Sequence, residues 1–136
     1  ESKRVPPLTK AQPLSVPGTT RVPGWIVAAD LITPDLQAVQ LRESETHKVD
    51  LDLDALGSQL WVRSRLQGDR FQPLGMAQEK RLQDFLVDAH VPSHLRDNIP
   101  LVVGDKGIVW VVGHRIADWV RLTPYTERAV RLTFSR

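Results

Sequence analysis

The residues of this chain best suited to chemistry are four histidines and a run of arginines. His90 and His94 stand four apart, a spacing that puts two imidazoles on one helix face for a zinc ion. Pro92 lies between them, however, and interrupts the helix that such a pair needs. His47 and His114 are isolated, and packing or surface roles suit them better. The glycines are scattered and build neither a Gly-x4-Gly-Lys-Ser/Thr loop nor a Gly-x-Gly-x-x-Gly loop for phosphates. No Ser-Gly-Gly-x-Asp-Ser pyrophosphate loop occurs, and no Ser/His/Asp set has a supporting motif. There is no cysteine, so disulfides and thiolate metal sites are excluded. The expectation is a chain with no catalytic centre, cofactor or metal of its own.

The arginines carry more information. Residues 1–60 hold six Lys/Arg against eight Asp/Glu, a net of −2, while residues 61–136 hold twelve against eight, a net of +4. Ten of those twelve are Arg, whose planar fork matches phosphate better than the point charge of Lys. Arg63 and Arg65 fall on one face of a predicted strand, with Trp61 beside them. Gly68-Asp69-Arg70-Phe71 supplies a turn and a further guanidinium. Lys80 and Arg81 sit in the first turns of a predicted helix, and Arg96 follows in a short helical turn. Forked donors on a strand, backed by a helix start with exposed N–H groups, suit a nucleic-acid backbone. The candidate RNA contacts are therefore Arg63, Arg65, Arg70, Lys80, Arg81 and Arg96.

A purely structural reading accounts for the same residues. In a hairpin of 49–54 with 60–66, Asp50 and Asp52 would face Arg63 and Arg65, each pair adding about 0.2–1 kcal/mol. Lys80 and Asp84 are spaced i, i+4, an ordinary helix pair, and Phe71 and Leu74 suit a core. Spacing alone does not choose between these readings.

The elements follow from periodicity. Gly24 to Ile32 is rich in β formers and reads as a strand. Val49, Leu51 and Leu53 alternate with Asp50, Asp52 and Asp54, and Leu60, Val62 and Leu66 alternate with Trp61, Arg63 and Arg65; these two runs form the hairpin just described. Leu82, Phe85, Leu86 and Ala89 recur at i, i+3, i+4 and i+7, predicting a helix from Gln78 to Ala89. Val91-Pro92 stops it. Ser93 caps a short turn through Asp97. Leu101 to Val103, Ile108 to Val112 and Ala129 to Phe134 read as strands, the first two joined by a turn at Asp105-Lys106-Gly107. Trp119 to Leu122 is a further strand candidate. Strand runs flanking a single helical insert predict an α+β fold, mostly antiparallel β.

The length allows one domain. Residues 1–11 read as a flexible tail, 12–136 as a single β-rich domain, and 33–47 as a loop or ragged strand. The chain opens Glu1-Ser2-Lys3-Arg4, which reads as a cut from a longer protein or a processed start. Its longest apolar run, Ile108 to Val112, is too short to cross a bilayer, and no secretion leader is seen. A cytoplasmic home is expected.

The stretch from Trp61 to Pro100 resembles the C-terminal domain of tRNA(Ile)-lysidine synthetases. It carries, in order, Gly68-Asp69-Arg70-Phe71, Pro73-Leu74-Gly75-Met76, Lys80-Arg81-Leu82-Gln83-Asp84-Phe85-Leu86, and Val91-Pro92 through Arg96-Asp97 to Pro100-Leu101. Ile108-Val109-Trp110-Val111 and Gly113-His114-Arg115-Ile116 extend the likeness over roughly residues 57–134. Arg81 stands where relatives often have Lys, and Ser93 and His94 stand where they often have Arg and a bulky residue. The resemblance implies layered sheets shared with part of the phenylalanyl-tRNA synthetase β-subunit. It also implies a domain that holds the acceptor stem of tRNA(Ile). Catalysis, with ATP, magnesium and lysine, would belong to an N-terminal pyrophosphatase-type domain not contained in this sequence. That enzyme would be a ligase joining lysine to the wobble cytidine. The alternative within the same enzyme is a scaffold or self-association module.

Overall fold

Val130, Leu132 and Phe134 alternate with Arg131 and Thr133 along the last strand, and this period of two decides where the strand goes. In the computed structural model, which describes residues 10–37 and 47–136, this strand (β11, Ala129–Ser135) lies inside a four-stranded antiparallel sheet. It pairs on one side with β3 (Trp25–Ile32) and on the other with β4 (Lys48–Asp52). The strand β2 (Gly18–Val22) completes that sheet beside β3. A five-stranded antiparallel sheet faces it, in the order β1 (Gln12–Pro13), β5 (Trp61–Arg63), β8 (Leu101–Gly104), β9 (Gly107–Val111), β10 (Arg115–Ile116). The sheets meet through aromatic rings. Trp110 of β9 stands edge-on to Phe134 of β11 at 5.3 Å, and Phe134 is edge-on to Trp25 at 5.7 Å. Such pairs add about 0.5–1.5 kcal/mol each beyond the area they bury.

The proposed hairpin of 49–54 with 60–66 does not form. β4 pairs with β11, and β5 pairs with β1 and β8 in the other sheet. The Asp52 carboxylate ends β4 by accepting the N–H groups of Asp54 and Ala55, which caps a short helix, α1 (Leu53–Leu56). Gly57, at φ 88°, then turns the chain toward the second sheet. Asp50 therefore meets Arg131 across the β4–β11 register rather than Arg63, at 2.9 Å. Leu66 does not share the buried face of Leu60 and Val62. The strand stops at Arg63, and Leu66 lies in the following loop, 60% exposed.

The predicted helix is shorter than its periodicity suggests. Helix α2 spans Leu82–Asp88, and the preceding Lys80–Arg81 is instead strand β7, paired with β6 (Arg70–Phe71). Gln78, Glu79 and Lys80 favour helix in isolation, but the pairing with β6 overrides that preference. The apolar stripe does bury Leu82, Phe85 and Leu86, with the Phe85 ring edge-on to Phe71 at 5.1 Å. The helix closes with two bonds, His90 N–H to the Val87 carbonyl and Val91 N–H to the Leu86 carbonyl. His90 accordingly takes the left-handed conformation, φ 61°. Ser93 opens a 3-10 helix (Ser93–Asn98) but does not cap it with its side chain. The Trp119 to Leu122 segment is not a strand; a 3-10 turn spans Asp118–Val120. Asp118 is fixed there by accepting from Gly75 N–H and from Arg121. The β8–β9 turn falls where the Asp105-Lys106-Gly107 chemistry puts it. The tail reading for 1–9 and the loop reading for 38–46 lie outside the described residues.

Candidate nucleic-acid interface

Three of the six predicted cations, Arg70, Lys80 and Arg81, lie on the β6–β7 ribbon, and five of the six are held by a carboxylate. Arg63 makes a forked pair with Asp69, Nη1 to Oδ2 at 2.9 Å and Nη2 to Oδ1 at 3.0 Å. Both side chains are largely buried. Asp69 also accepts the Leu66 N–H, and its backbone carbonyl accepts the Leu82 N–H that opens α2. Arg63 thus braces the 64–69 loop against the helix start. The helix N–H expected to meet phosphate is occupied by this bond.

Arg65 and Arg81 are held differently. Arg65 donates through Nε to Asp97 at 2.7 Å, and Arg81 through Nε to Asp84 at 3.3 Å. In each case the carboxylate takes only the Nε edge. Among the described residues no further hydrogen bond engages either pair of Nη groups. Both arginines line one open recess of about 510 Å³, together with Gly68, Asp69, Gln83 and Asp97. Gly68, at φ 87°, turns the loop at this recess, with no atom near where a Cβ would project.

Arg70 and Arg81 are directly opposite on the ribbon, a like-charge pairing that costs stability. Glu79 and Asp84 offset it, binding Arg70 at 3.2 Å and Arg81 at 3.3 Å. Lys80 shares the other side of the ribbon with Phe71. Its ammonium reaches Asp88 at 2.6 Å rather than Asp84, the partner expected from helical spacing. Arg96 donates to the Val91 carbonyl at 3.0 Å. The structure thus brings Arg65 and Arg81 to one recess and places Lys80 at another. Phe71 is core, as its spacing suggested, whereas Leu74 is exposed.

Sequence spacing overlooked Arg115. It shares the second recess with Lys80, and its guanidinium lies over the Phe85 ring at 5.7 Å. The available signal was Gly113 after an apolar run, which marks a turn that must deliver the next residues to its rim. Nearby, burial lowers the pKa of His114, helped by His47, and burial lowers that of His47, helped by Arg136. Both imidazoles are therefore biased toward the neutral form. Among the described residues no three His, Cys, Asp or Glu side chains gather as a metal-holding group.

Residues 60–130 match the family model for the TilS substrate C-terminal domain. The chain belongs to the TilS C-terminal domain family. It is 42% identical to the tRNA(Ile)-lysidine synthase of Symbiobacterium thermophilum over 131 residues, covering 95% of this chain and 27% of that protein. To the tRNA(Ile)-lysidine synthase of Dehalococcoides mccartyi it is 36% identical over 129 residues, with the same coverage. It thus spans about a quarter of the curated relatives' length. A crystal structure of a TilS C-terminal domain superposes with a TM-score of 0.72 at 25% identity, covering 93% of this chain and 97% of that one. An N-terminal fragment of the Pyrococcus horikoshii phenylalanyl-tRNA synthetase β-subunit superposes at 0.60 with 14% identity, covering 83% of this chain and 39% of that one. That second likeness is one of fold alone. The layered sheets implied by the TilS resemblance are thus present. The family model's span also takes in both recesses, from Arg65 to Arg115. No helix among the described residues is long and apolar enough to cross a membrane.

Proposed function

We propose that this chain is the tRNA-holding module of a tRNA(Ile)-lysidine synthase, a single domain over residues 12–136 that grips the acceptor-stem side of tRNA(Ile). The reaction itself belongs to a separate catalytic domain, which would use ATP with magnesium to activate the wobble cytidine and then join lysine to it. Cytoplasmic tRNA is the expected partner. The observation that carries this reading is the Arg65–Arg81 recess. Asp97 and Asp84 hold each guanidinium by Nε and leave its forked Nη edge without a further hydrogen bond among the described residues, on two side chains that both line the recess. That edge is the one that binds phosphate oxygens in pairs. The carboxylates orient the forks and lower side-chain entropy before RNA arrives. Arg70 extends the cationic rim along the ribbon. Arg96, tied to a carbonyl, and Arg63, closed into its pair with Asp69, position the loops rather than touch RNA.

The test is a titration of the chain with tRNA(Ile) at several salt concentrations. Binding should be measurable at low salt and fall steeply as salt rises, because phosphate contacts release counterions. Arg65→Gln and Arg81→Gln should each weaken it about tenfold, the loss of a charge-assisted contact worth roughly 1.5 kcal/mol. Binding no stronger than that of an acidic control protein of similar size would sink the proposal.

A further inference from the structure

Strand β7 sends its two cations to opposite sides. Arg81 faces the recess described above, while Lys80 lines a second open recess of about 250 Å³ with Phe85, Asp88, His114 and Arg115. The β7–α2 corner is therefore a ridge with a recess on either flank, the first lined by Arg65 and Arg81 with Asp69 and Asp97, the second by Lys80 and Arg115 with Asp88. The second hollow has a definite construction. Phe85 supplies an apolar wall, and the Arg115 guanidinium rests over that ring at 5.7 Å. Gly113, at φ 87°, turns the chain between β9 and β10 so that His114 and Arg115 stand at the rim. Among the described residues no carboxylate pairs with Arg115, whereas Asp88 holds Lys80. The three charged groups of the recess thus leave a net positive charge, next to an imidazole biased toward neutrality.

Resting on the RNA-binding reading above, we propose that this recess is a second RNA-backbone contact: Arg115 and Lys80 take a phosphate, so that the bound RNA straddles the β7–α2 ridge. The buried Phe85 ring holds the Arg115 guanidinium in place from below, and a forked donor so positioned suits the paired oxygens of a phosphate. A ridge with contacts on both flanks also fixes orientation, which one recess would leave free to pivot.

The experiment compares salt dependence in the whole chain with tRNA(Ile). Each phosphate contact removed should lower the slope of log affinity against log salt by about 0.7–0.9. Arg115→Gln should lose one such step and weaken low-salt binding about five- to tenfold. Arg115→Lys should recover the slope. Arg128→Gln, which removes a surface charge paired with Asp54 elsewhere, is the control and should change neither. If Arg115→Gln behaves like Arg128→Gln while Arg65→Gln and Arg81→Gln still weaken binding, the second contact is overturned and the first stands. If the unmodified chain does not bind tRNA, both fall.

Discussion

Arg63 ends β5, Arg65 lies two residues on in the following loop, and they do different work. Arg63 closes on Asp69 with both Nη groups inside the fold, while Arg65 keeps its forked edge at an open recess. Arg63→Ala strands the Asp69 carboxylate and should cost about 2 kcal/mol of unfolding free energy. Arg65→Ala, at a more exposed pair, should stay within about 0.5 kcal/mol. Chemical denaturation of the two variants separates them, and equal losses would contradict the division of roles. Asp105 offers a pH test. Its carboxylate accepts the Ser58 N–H at 2.8 Å and the Ser58 hydroxyl at 3.1 Å, which holds its pKa below the ordinary 3.8. A carboxyl depressed in the fold stabilises above its unfolded pKa, and that contribution is lost as pH falls through the folded value. Asp105→Asn should therefore melt below the unmodified chain at neutral pH. The gap should close once the pH drops well under 3.8.

At the scale of elements, short pieces are held by exact local chemistry. Asp52 caps α1, the Ser58–Asp105 clamp ties its end to the β8–β9 turn, and Gly104 lets the two touch. A Cβ on Gly104 would stand 2.6 Å from the Leu56 carbonyl oxygen. Gly104→Ala should accordingly push β8 off α1 and cost about 1–3 kcal/mol, read as a lowered unfolding midpoint. Helix α2 was legible as an apolar stripe because Leu82, Phe85 and Leu86 all bury on one side. Its start was not, since the pairing of Lys80 with Phe71 is a contact between residues nine apart that helical periodicity cannot register. The same limit explains the failed hairpin. Alternation marked 49–54 and 60–66 as strands, of which 49–52 and 61–63 are, but β11, more than 60 residues beyond β5, decided the partner of β4.

For the whole molecule, the last strand is central rather than peripheral. β11 lies between β3 and β4, and its Phe134 meets Trp110 of the facing sheet. Arg131 of the same strand pairs with the buried carboxylate of Asp50. Removing residues 129–136 should abolish cooperative unfolding rather than fray an end, because β4 loses its only ladder and β3 one of its two. A sigmoidal denaturation curve from the truncated chain would contradict this.

Composition, period-two and 3.6-residue patterning, and turn chemistry at Asp105-Lys106-Gly107 were enough to read an α+β chain of antiparallel strands with one main helix. The ordered motifs from Gly68 to Leu101 were enough to place its family. These signals are local, and the physics behind them acts within a few residues. Which strand pairs with which, that Arg63 is shut into Asp69 while Arg65 and Arg81 converge, and that Arg115 joins Lys80 at the second recess were decided only in three dimensions. Carboxylates and cations distant in sequence compete for one another, and the winner is set by which backbones the two sheets bring within hydrogen-bond reach.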